Sequence, residues 1–347
     1  MRLKCGFDLF KADKNPEIII ILSLVCTYIR IFTMYWRRNR VFLKVFLLIT
    51  ICFSMVGASL AQQLNSHFIS LQSDNDVYLM TGQDRYYTNG LILTLETPLS
   101  QSALKTDLLS LQLGHQLYNG IEVYAGDDVY WDRPSTAYLF LNGRFQRVFS
   151  DEWIWAIKTE VGVIGNAAKG KEVQDYVHRV FGMYKVQSWE SQLNTSIGVD
   201  LEASLAKRIW RSSSNKVELS GGASLRGGMI FSNATAELSL RLGKLSNFHT
   251  SHFVGNGSFF DTRSEYYFFY TPSYSSQFYN ATLQGGPFAK KKEDRFETMP
   301  HIWRHHLGVA YSDSRISIEA GVLFNTKEGK KMYQNHQYGQ IKLGLRF

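Results

Sequence analysis

The sequence predicts an all-β protein, a closed antiparallel β-barrel of twelve strands that spans a membrane. Three observations support this prediction. After Ala61, apolar and polar side chains alternate along many short segments that turn residues separate. That region has no uninterrupted apolar run of the roughly 20 residues that a spanning helix needs, so helical spans are not expected. The chain also closes on an alternating strand whose last residue, Phe347, is aromatic, as is typical of outer-membrane barrels.

The segment 1–61 has the composition of a targeting segment. The parts of a secretory signal follow in order: a basic stretch at 37–40, an apolar core at 45–56 and a small-residue cleavage site at 58–61. We expect translation to start at Met34, after an upstream extension, and cleavage to follow Ala61. An uncleaved membrane anchor starting at Ile18 is the alternative. The segment 62–347 then forms a single barrel domain.

The positive charge of the chain belongs to this leader. The segment 1–61 holds nine of the 38 Lys and Arg and three of the 30 Asp and Glu. The remainder therefore carries 29 basic and 27 acidic side chains, a net charge of about +2. This balance does not favour nucleic acid as a partner. All three cysteines also lie before the predicted cleavage site, so the exported domain has no disulfides, and a large core or a closed sheet must stabilise it.

The alternation defines twelve strands, an even number, as barrels of bacterial outer membranes have. They are predicted at 66–75, 87–97, 106–116, 135–148, 152–164, 193–206, 214–226, 231–243, 264–284, 301–312, 315–326 and 337–347. In lipid every backbone polar group must be paired, which a closed barrel achieves and an open sheet does not. A soluble β-sandwich or a lipocalin-like barrel would also alternate, but neither explains the charged inner face of the last strand, with Lys342 and Arg346.

Strand counting assigns the connections to the two sides of the membrane. If both ends of the barrel domain are periplasmic, the connections after odd strands are extracellular. The connections 76–86 and 165–192 then lie on the extracellular side. Connections after even strands should be short, but the connection 244–263 is long for a periplasmic turn, and the sequence offers no reason for this length.

The stretch SDNDVYLMTGQDRYYTNG, at 73–90, places many polar side chains at the first extracellular connection. Leu91, Leu93 and Leu95 should face lipid, so Thr88, Thr94 and Glu96 should point inward by parity. By the same reasoning Asp76 points inward and Asn75 outward, unless a bulge reverses the alternation. We expect these side chains to build a polar site at the outer edge of the barrel wall.

A helix is predicted over 167–181, in the third extracellular connection. Val173, Val177 and Val180 recur at helical spacing, and Gly182 is a stop signal. Gln174 and His178 are four positions apart and share a face of this helix. Two polar groups of residues that are distant in sequence therefore lie on the same side of the membrane. The histidines of HIWRHH, at 301–306, are better explained as interfacial residues at the start of a strand.

Several motifs in this order resemble the lipid A 3'-O-deacylase family of outer-membrane barrels, also called LpxR-like proteins. They are DNDVY and DRYYTNGL, then DRPSTAYLFL, GVIGNAAKGKEVQDYVHRVFG with SWESQL, GGASLRGGMIFSNATAELSLRLG, YNATLQGG and GQIKLGLRF. The resemblance covers nearly all of the segment 66–347. It implies a twelve-stranded barrel of the bacterial outer membrane whose site lies between the wall and an extracellular-loop helix.

The resemblance also implies an activity and its residues. The family hydrolyses the 3'-linked acyloxyacyl ester of lipid A in the outer leaflet, with calcium as cofactor. Carried over by motif, Asn75 and Asp76 match the metal pair, and Thr88, Gln174 and His178 match the catalytic residues. The resemblance also implies a glutamate of the metal site shortly after the histidine, where this chain has Tyr184; two alternatives therefore stay open, a chain that does not depend on the metal and one with another set of ligands.

The residue types suit ester hydrolysis without a serine nucleophile. A neutral His178 can activate water near physiological pH. Asp76 and Asn75 offer the oxygen ligands that calcium prefers, and Gln174 or Thr88 can donate to an oxyanion. Two alternatives stay open: a non-catalytic barrel that binds lipopolysaccharide and divalent ions, and a phospholipase with the same chemistry.

Overall fold

The computed structural model describes residues 67–79, 84–102, 104–125, 128–255, 263–287 and 296–347. The predicted leader, with its start at Met34 and its cleavage after Ala61, lies outside these residues. The described residues form two compact units. One contains Val177–Tyr184, and the other contains all remaining described residues, including the barrel.

Twelve strands close into a barrel, as the sequence predicts. Its strands are β1 Phe68–Asn75, β2 Tyr86–Gln101, β3 Lys105–Asn119, β6 Thr136–Phe149, β7 Trp153–Ile164, β8 Ser196–Arg211, β9 Val217–Gly228, β10 Phe231–Lys244, β11 Glu265–Asn280, β12 His301–Ser312, β13 Ile316–Asn325 and β14 His336–Arg346, and a separate hairpin comprises β4 Glu122–Ala125 and β5 Asp128–Trp131. The sequence did not predict this hairpin, which lies within the connection 117–134.

The barrel closes by antiparallel pairing of its first and last strands. The register of β1 with β14 runs from Phe68 opposite Arg346 to Asn75 opposite Gly339. All neighbouring barrel strands are antiparallel, and this closure pairs the backbone groups that an open edge would expose to lipid. We call the end where β1 begins and β14 ends the proximal end, and the opposite end the distal end. That the distal end is extracellular stays a prediction.

The wall has the two faces that the alternation predicts. Leu91, Leu93 and Leu95 are exposed on the outside, with Leu91 51% accessible, whereas Thr94 is buried and points inward. The inward side chains surround a cavity of about 510 Å³. Its charged lining residues are Glu96, Glu202, Glu237, Glu319, Arg144 and Lys342. An apolar outer band around a polar interior is the arrangement expected of a membrane barrel.

Helices are short in the part of the chain that the structure describes. The longest, α1 Gly170–Phe181, follows a 3-10 turn at Asn166–Ala168 and confirms the predicted helix. The predicted strand 264–284 was too long at its end: β11 stops at Asn280, and α2 Ala281–Gln284 follows. Asn280 starts this turn because its side-chain oxygen accepts from the Thr282 N–H at 3.0 Å. None of the helices within the described ranges is long and apolar enough to cross a membrane.

The long connection after β10 is a plug, which we define as residues 245–255. Two 3-10 turns, Phe248–Thr250 and His252–Val254, carry it into the proximal end of the barrel. Phe248 and Val254 are buried in an apolar cluster with the inward-facing Leu108, Val148 and Ile154. The connection exceeds the length of a turn because its residues fill the lumen.

Polar contacts hold the plug in place. Arg241 forms a buried ion pair with Glu218 and donates to the Ser251 hydroxyl at 2.6 Å. Glu265 accepts from the Ser251 hydroxyl at 2.9 Å and from the His252 N–H at 2.5 Å. These charges lie on barrel strands, so the plug and the wall form one hydrogen-bonded structure at this end.

Candidate active site at the distal end

The connection between β1 and β2 starts with a capped 3-10 turn, Asp76–Leu79. The Asn75 side-chain oxygen accepts from the Val77 N–H at 2.7 Å. This bond satisfies one of the N–H groups that a helical start leaves without a backbone partner. In this structure the Asn75 amide therefore caps the turn, and the neighbouring Asp76 carboxylate lies against β2.

Two carboxylates meet at one hydroxyl in this connection. The Thr88 Oγ1 lies 3.0 Å from the Asp76 Oδ2 and 3.0 Å from the Asp84 Oδ1. The backbone N–H of Arg85 donates to the same oxygen of Asp76 at 3.2 Å. A hydroxyl has one hydrogen and can donate it to only one of the two acids. Within the cluster of Asp76, Asp84 and Thr88, the two carboxylates therefore compete for this one hydrogen.

A bulge in β2 places Thr88 in this cluster. The register with β3 shifts between Tyr87 and Asn89, and Tyr86 has a φ of +58°. The alternation that holds for Thr94 and Glu96 breaks at this point, because a bulge adds one residue to one strand. Tyr87 points into the barrel and donates to Asp74 at 2.7 Å, while Thr88 reaches the acids of the connection.

Burial and a like charge change the titration of Asp76. Its carboxyl is desolvated, and the neighbouring Asp84 carboxylate repels a second negative charge. Together these effects raise the pKa of Asp76 from 3.8 to about 7. The hydrogen bonds from Arg85 and Thr88 act in the opposite direction and are weaker. Asp76 can therefore exchange its proton for a metal ion near neutral pH.

The start of α1 packs on the outer face of the wall. The Nε2 of His115 lies 2.8 Å from the carbonyl oxygen of Ala168 and donates to it. His115 pairs with Leu139 across β3 and β6, and Leu139 is exposed on the outer face. Leu117 and Ala137, the next outward pair, are buried in a cluster with Ala168. This part of the site therefore lies outside the barrel, at the wall that lipid contacts.

Gln174 is buried in α1 and held by an indole. The Trp189 Nε1 donates to the Gln174 Oε1 at 2.7 Å, and the two side chains are 4% and 3% accessible. Because an indole nitrogen can only donate, this bond fixes which end of the amide is oxygen. The Gln174 Nε2 is then the end that can donate to another group.

The segment Val177–Tyr184 orients His178 by itself. The Nδ1 of His178 lies 2.5 Å from the Tyr184 carbonyl oxygen. A carbonyl only accepts, so Nδ1 carries the hydrogen and Nε2 is the basic nitrogen of the neutral ring. Gly182, at φ +66°, adopts the left-handed conformation that turns the chain back after α1. The backbone carbonyl of Tyr184 therefore orients the imidazole.

The structure brings some of the predicted residues into contact. Thr88 and Asp76 are hydrogen-bonded, and Asn75 is the neighbour that caps the turn. Gln174 lies in α1 with Trp189 as its partner, and His178 belongs to the unit that contains Val177–Tyr184. The predicted site residues did not include Asp84, which contacts Thr88, or Trp189, which contacts Gln174. Both lie in motifs quoted above. Asp84 begins DRYYTNGL, where its signal is an acid close to Asp76 in sequence, and Trp189 lies in SWESQL, where its signal is an indole that can donate a hydrogen bond.

The cluster of Asp76, Asp84 and Thr88 fits calcium chemistry in its donor types. Carboxylate and hydroxyl oxygens are hard ligands, and calcium completes its shell with backbone carbonyls and water. Among the described residues, no group of three or more His, Cys, Asp and Glu side chains could hold a metal ion. The described residues of this connection thus offer two carboxylates and one hydroxyl at this point.

A closed twelve-stranded barrel with an apolar outer wall, a polar lumen and a polar site at one rim defines an outer-membrane protein of bacteria. The model of the family described as "Outer membrane protein LpxR" matches residues 46–347. The chain therefore belongs to this family, and its location is the bacterial outer membrane.

Of the similar solved structures, LpxR from Salmonella typhimurium supports the same fold. LpxR from Salmonella typhimurium is similar with a TM-score of 0.66 and 18% identity, and the match covers 81% of this chain and 100% of that one. The β domain of the Bordetella autotransporter BrkA has a TM-score of 0.44 and 10% identity, over 82% and 99% of the two chains. The translocator domain of NalP from Neisseria meningitidis has a TM-score of 0.43 and 8% identity, over 86% and 95%. No curated protein matches the sequence.

Proposed function

We propose that this chain is a lipid A 3'-O-deacylase, an ester hydrolase that removes the 3'-linked acyloxyacyl group in the outer leaflet. The observation that carries the proposal is the tautomer of His178. The Tyr184 carbonyl holds the hydrogen on Nδ1, so Nε2 can accept a proton from water. Membership of the LpxR family supports the choice of lipid A as substrate.

The proposed reaction needs one base and no covalent enzyme intermediate. The Nε2 of His178 takes a proton from water, and the resulting hydroxide attacks the ester carbonyl carbon. The bond between this carbon and the 3' oxygen of the sugar then breaks. The leaving alkoxide receives the proton from the imidazolium, which regenerates the neutral ring. The products are a lipid A with a free 3' hydroxyl and an acyloxyacyl fatty acid.

Gln174 suits the stabilisation of the charge that develops on the carbonyl oxygen. Its Oε1 is committed to the Trp189 indole, so the amide N–H groups are the donors. A buried, oriented donor stabilises an oxyanion better than water does, because it does not have to reorganise during the reaction.

Calcium is the proposed cofactor, held by oxygens of Asp76, Asp84 and Thr88, where it would supply positive charge. Asp76 and Asp84 repel one another when both are ionised, so a cation bound by both would relieve this repulsion. Asn75, which the family resemblance also assigns to the metal, caps the turn in this structure. Its part in metal binding stays a prediction.

The position of the 166–176 segment on the outer wall supports an insoluble lipid as substrate. Leu111 and Leu113 are exposed on the same face of β3 as His115 and Leu117. An acyl chain in the outer leaflet can lie along these leucines and reach the rim without leaving the membrane. A substrate dissolved in water would gain nothing from this arrangement.

Mass spectrometry of lipid A from cells that express the chain tests the proposal. The wild type should yield a species lighter by the 3' acyloxyacyl group. His178→Ala should lower the amount of this species at least about 100-fold, the usual contribution of a general base, while the barrel still assembles. Unchanged lipid A in the presence of calcium would refute the deacylase proposal, and a changed phospholipid profile would indicate a phospholipase.

The contact of Thr88 with two carboxylates also favours a second function, a barrel that binds divalent ions and lipopolysaccharide without hydrolysis. Calcium would then bridge the acids and the phosphates of the lipid. For such a protein, calcium should protect the barrel from unfolding equally well in the wild type and in the His178→Ala variant. Neither protein should release fatty acid from lipopolysaccharide.

A further inference from the structure

We infer that Trp189 is a positioning residue for the reaction: its indole N–H selects the orientation of the Gln174 amide and so presents Nε2, not Oε1, to the substrate. This inference rests on the proposed function. It adds a residue that has no chemistry of its own and that the predicted set His178, Gln174 and Thr88 does not include.

An amide needs such a partner because its two ends are nearly equal in shape. A half-turn of the amide group exchanges Oε1 for Nε2 and turns a donor into an acceptor. With the oxygen toward the substrate, Gln174 would repel an oxyanion rather than stabilise it. The indole of Trp189 excludes this orientation, since it would bring the indole N–H against the amide NH₂ group, two donors with no acceptor between them.

The indole itself is fixed by its surroundings. Trp189 is 4% accessible and lies in one apolar cluster with Leu117, Ala137, Ala168 and Val186. Gly170, the first residue of α1, approaches it so closely that an added Cβ would lie 2.6 Å from the indole Cη2 and 2.4 Å from the Ala137 Cβ. The ring therefore has little freedom to move away from Gln174.

A second hydrogen-bond network holds the residue before Trp189. The Ser188 hydroxyl accepts from the Asn119 amide at 3.0 Å and from the Ser135 hydroxyl at 2.8 Å. All three side chains are buried. Asn119 ends β3 and Ser135 directly precedes β6. The barrel wall thereby sets the position of the short 3-10 turn Ser188–Ser191 that carries the indole.

The test is a double-mutant cycle on the full-length protein in micelles, with hydrolysis of lipopolysaccharide as the assay. Trp189→Phe removes the N–H and keeps an aromatic ring in the cluster. We expect it to lower kcat about tenfold and to change KM less than about twofold, because the loss of one hydrogen bond affects the transition state. In a Gln174→Ala background, Trp189→Phe should have almost no further effect on kcat.

Two controls separate orientation from packing. Trp155→Phe makes the same change on the barrel wall near the proximal end, where the ring contacts Phe145, and should leave kcat unchanged. Gln174→Glu keeps an acceptor for the indole but removes the donor. It should therefore reduce kcat as much as Gln174→Ala, while the indole N–H signal of ¹⁵N-labelled Trp189 stays where it is in the wild type.

The outcomes are distinct. A wild-type protein without hydrolase activity would overturn the proposed function and this inference together. An active wild type in which Trp189→Phe has no effect, or has the same effect in the Gln174→Ala background, would overturn the inference alone, because Trp189 would then not act through Gln174. A non-additive cycle with unchanged KM is the expected result.

Discussion

The two ends of the barrel use buried charge in opposite ways. At the proximal end, Glu218 is fully buried between two cations, Arg241 and Arg211. At the distal end, two acids, Asp76 and Asp84, approach the same hydroxyl. The first arrangement pairs an acid with two cations, and the second buries an acid and places a like charge close to it, which raises the pKa of Asp76. This contrast separates a polar network that stabilises the fold from the one to which our proposal assigns binding and reaction.

Removal of Arg241 should cause the largest loss of stability. Arg241→Ala leaves the Glu218 carboxylate with Arg211 as its ion-pair partner, and it removes the hydrogen bond to Ser251 of the plug. Breaking a buried ion pair from one side costs about 3–5 kcal/mol. We expect unfolding of the barrel at a clearly lower temperature, measured by the heat-dependent change of its mobility in electrophoresis.

The matched control for this prediction is the exposed ion pair of Lys330 and Glu297. Lys330→Ala removes a cation from the surface and should leave the unfolding temperature unchanged, because water replaces the lost partner. Equal shifts for the two variants would show that the plug network has no special role.

Gly170→Ala should have the next largest effect, and at the distal end. The new methyl group would meet the Ala137 Cβ at 2.4 Å and the Trp189 indole at 2.6 Å, so α1 or the indole must shift. Overpacking of this kind costs about 1–3 kcal/mol. The relative loss of hydrolase activity should be larger than the relative decrease in the unfolding temperature. Gly227→Ala is the matched control, because its Cβ would meet no atom within 4 Å, and it should be silent.

Asp84→Asn should have a smaller effect on stability, and of the opposite sign. The variant removes the electrostatic repulsion between residue 84 and Asp76. In the absence of calcium we therefore expect the free energy of unfolding to rise by about 0.5–1 kcal/mol, the usual size of a single stabilising substitution. The same variant should bind calcium more weakly. Thermal unfolding with and without calcium measures both changes, and a loss of stability without calcium would contradict the contrast between the two ends.

The smallest expected effect is the dependence of stability on pH that Asp76 causes at the distal end. In the folded protein the pKa of Asp76 is about 7, and its ordinary value is 3.8. The folded state therefore binds more protons than the unfolded state between these values, and the contribution of Asp76 to stability falls as the pH rises from about 4 to about 7. Above this range the contribution is constant.

Calcium should reverse this trend, because only the ionised carboxylate binds it. We expect the stabilisation by calcium to grow as the pH rises through about 7, the pKa of Asp76, and Asp76→Asn to abolish that growth. Thermal unfolding across a pH series on both sides of this value, with calcium or with a chelator, checks both statements. A calcium effect that is the same at all pH values would assign the ion to another site.

The fold was predictable because every strand has lipid on one side and the polar lumen on the other, which imposes a two-residue alternation of apolar and polar side chains. Leu91, Leu93 and Leu95 face the outside and Thr94 the inside, and a shift by one residue would exchange these environments. The end of β11 was not predictable from the period, because the side chain of Asn280 starts a helical turn within an apolar stretch. The plug was equally hidden, since its contacts with the wall join residues that only the closed barrel brings together.

The site was predictable in part for a similar reason. Asp76, Asp84 and Thr88 lie close together in sequence around one connection, so their proximity in the fold could be expected. The bulge in β2 that brings Thr88 to both acids could not, because the sequence pattern does not show it. Trp189 meets Gln174 through the packing of α1 against the wall, and the orientation of His178 depends on a backbone carbonyl, which every residue has and no motif records.

One measurement tests the central claim most directly. Purified protein would be given lipopolysaccharide and phospholipid in the same mixed micelles, with calcium or with a chelator, and both lipids would be analysed by mass spectrometry. We predict loss of the 3' acyloxyacyl group from lipid A, intact phospholipid, and no reaction for His178→Ala. Hydrolysis of the phospholipid alone, or two unchanged lipids with folded protein and calcium, would contradict the account.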